Sequence, residues 1–360
     1  MQFKSVVIKF GTNVLTREDG HLDLTNISHL VDQVAALKKA GVAVVLVSSG
    51  AVGAGRSMVS IPPDLSKIVR RQVLSAVGQV RLMEIYRGLF ENHQLHCAQV
   101  LACKEDFRDR THYINMRNCL TSLMRDTVVP IVNENDVISI SELMFTDNDE
   151  LAGLVAAMIN AEALLILSTV DGLMTGHPDH PDSQLITTIS ASDRKSKSYI
   201  LPSKSSFGRG GMQTKFRIAQ KAAKVGIDTF IANGRRSNII VDILQNDYIG
   251  THFVAGTKLS NVKKWIAYYD QAHKGKVVLN AGAVAALTSS EEINSLLPVG
   301  VVRLEGEFQK GDLLQLLDEQ GRTVGYGIAQ YSSAIAMPLL GQKGQKPLIH
   351  YDYLYLDLPH

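Results

Sequence analysis

The chain has 360 residues, 45% of them apolar and 20% charged, with a formal net charge of +2. That length suffices for about two domains, each with its own core, and the near-neutral balance gives no reason to expect a nucleic acid or a membrane surface as partner. No apolar run reaches the roughly 20 residues that cross a bilayer, the N-terminus enters a core strand directly, and Cys97, Cys103 and Cys119 fit neither a disulfide framework nor a metal pair, so a cytoplasmic protein is expected.

The first expected element is a strand over residues 4–10, which ends in Lys9-Phe10-Gly11-Thr12. A rigid β-branched segment followed by a glycine turn lets backbone N–H groups approach an anion, and Lys9 adds a point charge. Thr25 or Asn26 could cap the next element, a helix with Ile27, Leu30, Val31, Val34 and Leu37 on one face that Gly41 stops. A strand over 42–48 leads into Ser48-Ser49-Gly50-Ala51-Val52-Gly53-Ala54-Gly55. This turn could present helix N–H groups to an anion, or it could supply small residues for a close helix–sheet contact. It is not a Walker loop, because no Gly-Lys-Ser/Thr follows, and it is not a dinucleotide fingerprint.

A long helix is expected over about 66–92, then strands over 96–101 and 127–132. The second of these ends in Asn133-Glu134-Asn135-Asp136, and Thr146-Asp147-Asn148-Asp149 follows shortly, opening a helix to about residue 161. So many carboxylates and amides beside core segments must be wet, paired or functional. Asp147 alone could be a helix N-cap, but capping cannot occupy all of them. Strands over 163–168 and 227–232 complete the alternation, with a polar, irregular hairpin or lid over 172–208 between them. The segment Gly208-Arg209-Gly210-Gly211-Met212-Gln213-Thr214-Lys215 enters another helix, either as an anion-binding glycine turn or as an ordinary loop with a solvated lysine. The pattern as a whole predicts an α/β domain, a mainly parallel open sheet sandwiched by helices, over residues 1–256. A linker over 257–274, with a helix at Lys258 to Lys264 and Trp265, then leads to a small, mostly β barrel over 275–360, with turns at Gly300, Gly306, Gly311, Gly321, Gly325 and Gly327.

Two lysines, two glycine turns and an acidic cluster suggest phosphoryl transfer to an acceptor that is already ionised. A carboxylate acceptor needs no proton removed, so catalysis would rest on alignment and charge neutralisation.

In this order, Lys9-Phe10-Gly11-Thr12, Ser48-Ser49-Gly50-Ala51, Asn133-Glu134-Asn135-Asp136, Asp147-Asn148-Asp149 and Gly210-Gly211-Met212-Gln213-Thr214-Lys215 resemble the signatures of the amino acid kinase family over nearly the whole chain. The resemblance is greatest to its glutamate-phosphorylating members. Residues after 275 resemble a PUA domain, through Gly282-Ala283, Ser295 to Gly300, Gly306-Glu307-Phe308 and Gly311-Asp312. The resemblance implies transfer of phosphate from ATP, with Mg²⁺, to the γ-carboxylate of L-glutamate as the first step of proline biosynthesis. It also implies feedback inhibition by proline and a homo-oligomer. Lys9, Lys215 and Asp149 would be catalytic. Ser49, Asn133, Asp136, Asp147 and Asn148 would bind glutamate. Lys9, Gly11, Gly50, Ser168, Thr169, Arg209, Gly210, Gly211, Met212, Gln213, Thr214 and Lys215 would bind the nucleotide, and no residue is assigned to the metal itself. The chain departs from the family at Ser168-Thr169, where Thr-Asp is common, with Asp171 two residues on, and at Arg209, where a small hydroxyl residue is usual.

One rival is a kinase of the same fold acting on another small acid. A second is an RNA-binding PUA protein, against which residues 275–360 carry six basic and nine acidic side chains, the wrong balance for a phosphate backbone.

Overall fold

The computed structural model describes residues 2–138, 145, 147–176, 183–191, 193, 211–268, 273–289 and 294–356. The chain divides into two compact units, up to Lys258 and from Leu259. Most of the expected hairpin over 172–208, and Gly208, Arg209 and Gly210, lie outside the described residues.

In the first unit β1 (Ser5–Phe10), β2 (Ala43–Ser48), β4 (Val128–Glu134) and β5 (Ala163–Ser168) form where unbroken apolar runs predict strands buried on both faces, while β3 (His96–Ala102), interrupted by Gln99, is a partly exposed edge strand. The short pair β6 (Leu173–Met174) and β7 (Leu185–Ile186) stands apart; β8 (Thr188–Ser190), β9 (Asp228–Asn233) and β10 (Gly250–Val254) extend the main sheet. Its order is β3-β4-β2-β1-β5-β9-β10-β8, parallel except that β10 runs against β9. β1 is flanked by β2 and β5, with Lys9 opposite both Val47 and Ile166. The strand order reverses there, and the carboxyl ends of the strands open a crevice of the kind that binds ligands in open α/β sheets.

The helices are α1 (Thr12–Leu15), α2 (Leu24–Lys39), α3 (Ala51–Arg56), α4 (Lys67–Glu91), α5 (Lys104–Arg108), α6 (Arg110–Leu123), α7 (Asn148–Ile159), α8 (Met212–Lys224) and α9 (Ile239–Gln245). Alternate β1 residues Val6, Ile8 and Phe10 share one core with α2, α4 and α9, while α7 packs with α8 against the sheet's other face. The α2 cap is neither expected residue: Asp23 accepts the Asn26 N–H, and the Asn26 amide instead donates to the Val14 and Gly234 carbonyls. Small residues on α3 and α4 allow very close helix–helix packing. A Cβ on Gly78 would overlap the Ala51 carbonyl, and one on Gly55 would overlap the Leu74 carbonyl.

The second unit holds α10 (Asn261–Tyr268), β11 (Gly275–Leu279), α11 (Ala281–Thr288), β12 (Val301–Glu305), β13 (Leu313–Leu317), β14 (Thr323–Ile328), α12 (Ser333–Ala336) and β15 (Leu354–Leu356). The strands form one sheet in the order β12-β11-β13-β14-β15, and α10 packs on β14 and β15. Gly306, Gly311 and Gly321 turn with positive φ (+85°, +96° and +78°), as expected. Gly325 and Gly327 are not turns: they lie inside β14, where side chains would overlap the Tyr355 carbonyl and crowd Ile349.

Candidate active site

Three charges meet at the carboxyl end of the sheet. Lys9 arrives from the end of β1, Asp149 from the first turn of α7 and Lys215 from the first turn of α8. The Lys9 ammonium lies 2.6 Å from Asp149 Oδ1, and the Lys215 ammonium donates to Asp149 Oδ2 at 2.7 Å. Relative exposures of 5%, 0% and 8% for Lys9, Asp149 and Lys215 mean that none can rely on bulk water. Burial pushes the Asp149 carboxyl up, but the two ammonium groups outweigh it and hold the acid well below the usual range, at about 2. Burial and the neighbouring Lys215 lower the Lys9 pKa against the pull of Asp149. The carboxylate therefore stays ionised, and it aims two cations at one region.

Asp147 is the N-cap of α7: its Oδ1 accepts from the Asp149 and Glu150 N–H groups at 2.9 and 3.1 Å. Its Oδ2 is buried without a partner, and burial together with Asp149 raises its pKa to about 6. Cap and site are thus served by different oxygens of one side chain. The adjacent Asn148 donates from Nδ2 to the Ser48 carbonyl, Ser49 Oγ and Asn133 Oδ1 at 3.0, 3.1 and 3.0 Å, and Asn133 donates to Gln79 Oε1 at 2.9 Å. This amide chain joins α7, the loop after β2, β4 and α4.

Gly50 caps α3 with φ +103°, a left-handed conformation in which glycine is unstrained. Both readings of the Ser48–Gly55 segment apply, to different glycines: Gly50 makes the turn, and Gly55 makes the close contact, with helix α4 rather than with the sheet. Gly11 differs from expectation. Its N–H donates to the Leu167 carbonyl at 3.3 Å, and the lack of a side chain keeps open the space beside the Lys9 ammonium, 3.4 Å from where a Cβ would stand.

At the β4 end Asp136 is engaged on both oxygens. Arg71 donates to Oδ1 from Nε at 2.9 Å and also from Nη2, and Ser75 donates to Oδ2 at 3.0 Å. Arg71 Nη2 also reaches Glu134 Oε2 at 3.2 Å. Burial and the neighbouring Asp136 raise the Glu134 pKa to about 7. Arg71, Ser75 and Gln79 were missed by sequence reasoning, although their spacing by four within a helix marks a polar stripe on one face.

A cleft of about 590 Å³ brings together Lys9, Gly11, Ser49, Gly50, Asn133, Asp136, Asp147, Asn148, Asp149, Ser168, Thr169, Gly211, Met212 and Lys215. Its volume is that of a small-molecule site. Arg56, Lys67 and Arg70 add cationic lining not foreseen from the sequence. Gln213 and Thr214 are not in the lining, because the turn of α8 that aims 211, 212 and 215 inward turns them away; Gln213 is exposed. Asp171 is held by Arg236 at 2.8 and 2.6 Å and by Asn233 at 3.1 Å, and it is not among the residues that line the cleft.

Residues 4–233 match the family model of the amino acid kinase family, and residues 275–351 match that of the PUA domain. A glutamate 5-kinase of Bacteroides thetaiotaomicron is 49% identical over 99% of both chains. One of Chlorobaculum tepidum is 46% identical over 98% of both. Among solved structures, the carbamate kinase of Giardia lamblia bound to AMP-PNP superposes with a TM-score of 0.52 at 20% identity, covering 71% of this chain and 99% of that one. That likeness is of fold alone.

Proposed function

The chain belongs to the amino acid kinase family, and on that premise we propose that it transfers the γ-phosphoryl group of ATP to the γ-carboxylate of L-glutamate, giving ADP and γ-glutamyl phosphate, the first step of proline biosynthesis. The observation that carries this reading is the pair of buried ammonium groups sharing one carboxylate. Transfer between two anions is opposed by their mutual repulsion, and lysines fixed in advance on either side of the migrating phosphoryl group offset it without reorganising. Asp149 positions both. It does not act as a base, because a carboxylate acceptor has no proton to remove and an acid with a pKa of about 2 would not hold one.

The Ser49 hydroxyl, which accepts from Asn148 and keeps its own hydrogen, and the second N–H of the Asn133 amide offer donors to an acceptor carboxylate, Asn148 orients both, and Asp136 offers an acceptor to the α-ammonium group. Ser168, Thr169 and the first turn of α8 would take the nucleotide, whose phosphates favour a helix N-terminus. Among the described residues no group of three acidic, histidine or cysteine side chains could hold a metal. Mg²⁺ would be held chiefly by nucleotide oxygens, with Asp147, whose buried Oδ2 is unpartnered, as the carboxylate free to join it. When bound, Mg²⁺ would neutralise charge on the phosphate oxygens.

In the same reading the enzyme is a cytoplasmic homo-oligomer, and proline, which shares the α-ammonium and α-carboxylate groups, competes for the acceptor end. No described helix is long and apolar enough to cross a membrane. An ADP-release screen tests the assignment: glutamate should exceed aspartate, N-acetylglutamate, carbamate and UMP. Preference for any of the last four would overturn it.

A further inference from the structure

We propose that Arg71 selects an α-amino acid as acceptor: its outer guanidinium edge takes the substrate's α-carboxylate while its inner edge fixes the carboxylate that receives the α-ammonium. This rests on the acceptor reading given above and names the residue that makes it specific. The guanidinium carries five N–H donors. Nε and Nη2 are directed at Asp136 and Glu134, whereas Nη1 has no partner among the described residues. The side chain is 27% exposed and lines the cleft, within reach of a ligand held there.

Charge and position agree. An α-ammonium that pairs with Asp136 brings the α-carboxylate on the same carbon toward Arg71, among the described residues the one guanidinium tied to Asp136. Ser75 holds the second oxygen of Asp136, so the carboxylate cannot swing away when a ligand draws on Arg71. Asp136 follows β4 and Ser168 ends β5, with β2 and β1 lying between those strands. Three strand spacings of about 4.8 Å put the two positions roughly 14 Å apart, so Arg71 belongs to the acceptor's head and not to the nucleotide. A lysine could not do the same, because a single ammonium cannot bridge two carboxylates and also present a planar edge to a third.

The test pairs Arg71→Lys and Arg71→Gln with trimmed ligands, using the full-length enzyme and ADP release. 4-Aminobutyrate keeps the ammonium and the γ-carboxylate but lacks the α-carboxylate. In wild type it should inhibit about tenfold or more weakly compared with glutamate binding, the factor expected for one lost charged hydrogen-bond pair. Both variants should raise the glutamate KM by about tenfold or more with kcat changed by less than about threefold, and should weaken 4-aminobutyrate by a clearly smaller factor, the part that passes through Asp136. Arg71→Lys keeps the positive charge beside Glu134 and Asp136, so it guards against a variant that fails to fold. Equal weakening of glutamate and 4-aminobutyrate would reduce Arg71 to a support for Asp136 and overturn the proposal, as would an unchanged glutamate KM. A wild-type enzyme that releases ADP with another acid and not with glutamate overturns the acceptor reading itself, a result distinct from either.

Discussion

Replacing Asp149 by asparagine removes the shared counter-ion of two buried lysines while keeping the size of the side chain. At separations of 2.6 and 2.7 Å and an effective dielectric near 20, each ion pair is worth about 6 kcal/mol of gross attraction. Most of that offsets desolvation, so the net loss of stability expected from stranding a buried charge is about 3–5 kcal/mol. A ceiling comes from titration. A lysine with an ordinary pKa of 10.5 can be neutral at pH 7 for about 5 kcal/mol, and Lys9, already lowered by burial, is the one to give up its proton. Urea unfolding at pH 7 measures the loss, and ADP release should show kcat reduced about 10²–10³-fold, the range for removing one element of transition-state charge stabilisation. Nucleotide supplies the polarity that asparagine lacks, so ATP should raise the thermal midpoint of the variant more than that of wild type. Equal unfolding midpoints, with equal shifts on adding ATP, would show that the lysines do not depend on Asp149, and the mechanism would fall with it.

Glu134 gives a pH signature. Its folded pKa of about 7 lies above the ordinary 4.5, so the stability associated with its bound proton is complete below pH 4.5 and is lost as pH rises through 7. With partial solvation on the Arg71 side the loss should be about 1–2 kcal/mol. Glu134→Gln should therefore match wild type at pH 5 and exceed it at pH 8 in urea unfolding; parallel curves across that range would refute the assignment. Gly78→Ala forces α3 and α4 apart and should cost about 3 kcal/mol while also raising the glutamate KM, because both helices carry the acceptor site. Gly88→Ala, on the same helix with nothing within 4 Å, should instead stabilise by about 0.5–1 kcal/mol. Thermal unfolding of the two variants would show the contrast, and a similar response from both would remove close packing as its cause.

The sheet was legible because parallel strands buried on both faces read as unbroken apolar runs, so β1, β2, β4, β5 and β9 stand where those runs occur. β8 and β10 were not, since they are short and polar and owe their strand form to the sheet edge they extend. Likewise α9 reads as a β-branched run and is helical through packing on α2. In the site, lysine after a strand and lysine after a glycine turn could be recognised as anion ligands, and the structure joins them through Asp149. The role of Arg71 could not be read in this way. Its partners lie 63 and 65 positions away, and only the docking of α4 beside the end of β4 tells a bound guanidinium from a solvated one.

The two ends of the cleft present different partners, and this bears on how an acceptor is oriented. Lys9 and Lys215 offer two ammonium groups beside Asp149 and Asp147, while Asp136 and Glu134 offer two carboxylates beside Arg71. An acceptor without an ammonium group, such as carbamate or a nucleoside monophosphate, leaves the carboxylates of the second cluster without a partner, whereas an amino acid with an ammonium at one end and a carboxylate at the other complements both. Buried charges are costly while they lack full partners, and the matching end of the ligand supplies one at each cluster. Binding energy is thereby tied to the orientation that points the side-chain carboxylate at the lysines, and a reversed acceptor would place like charges together at both ends.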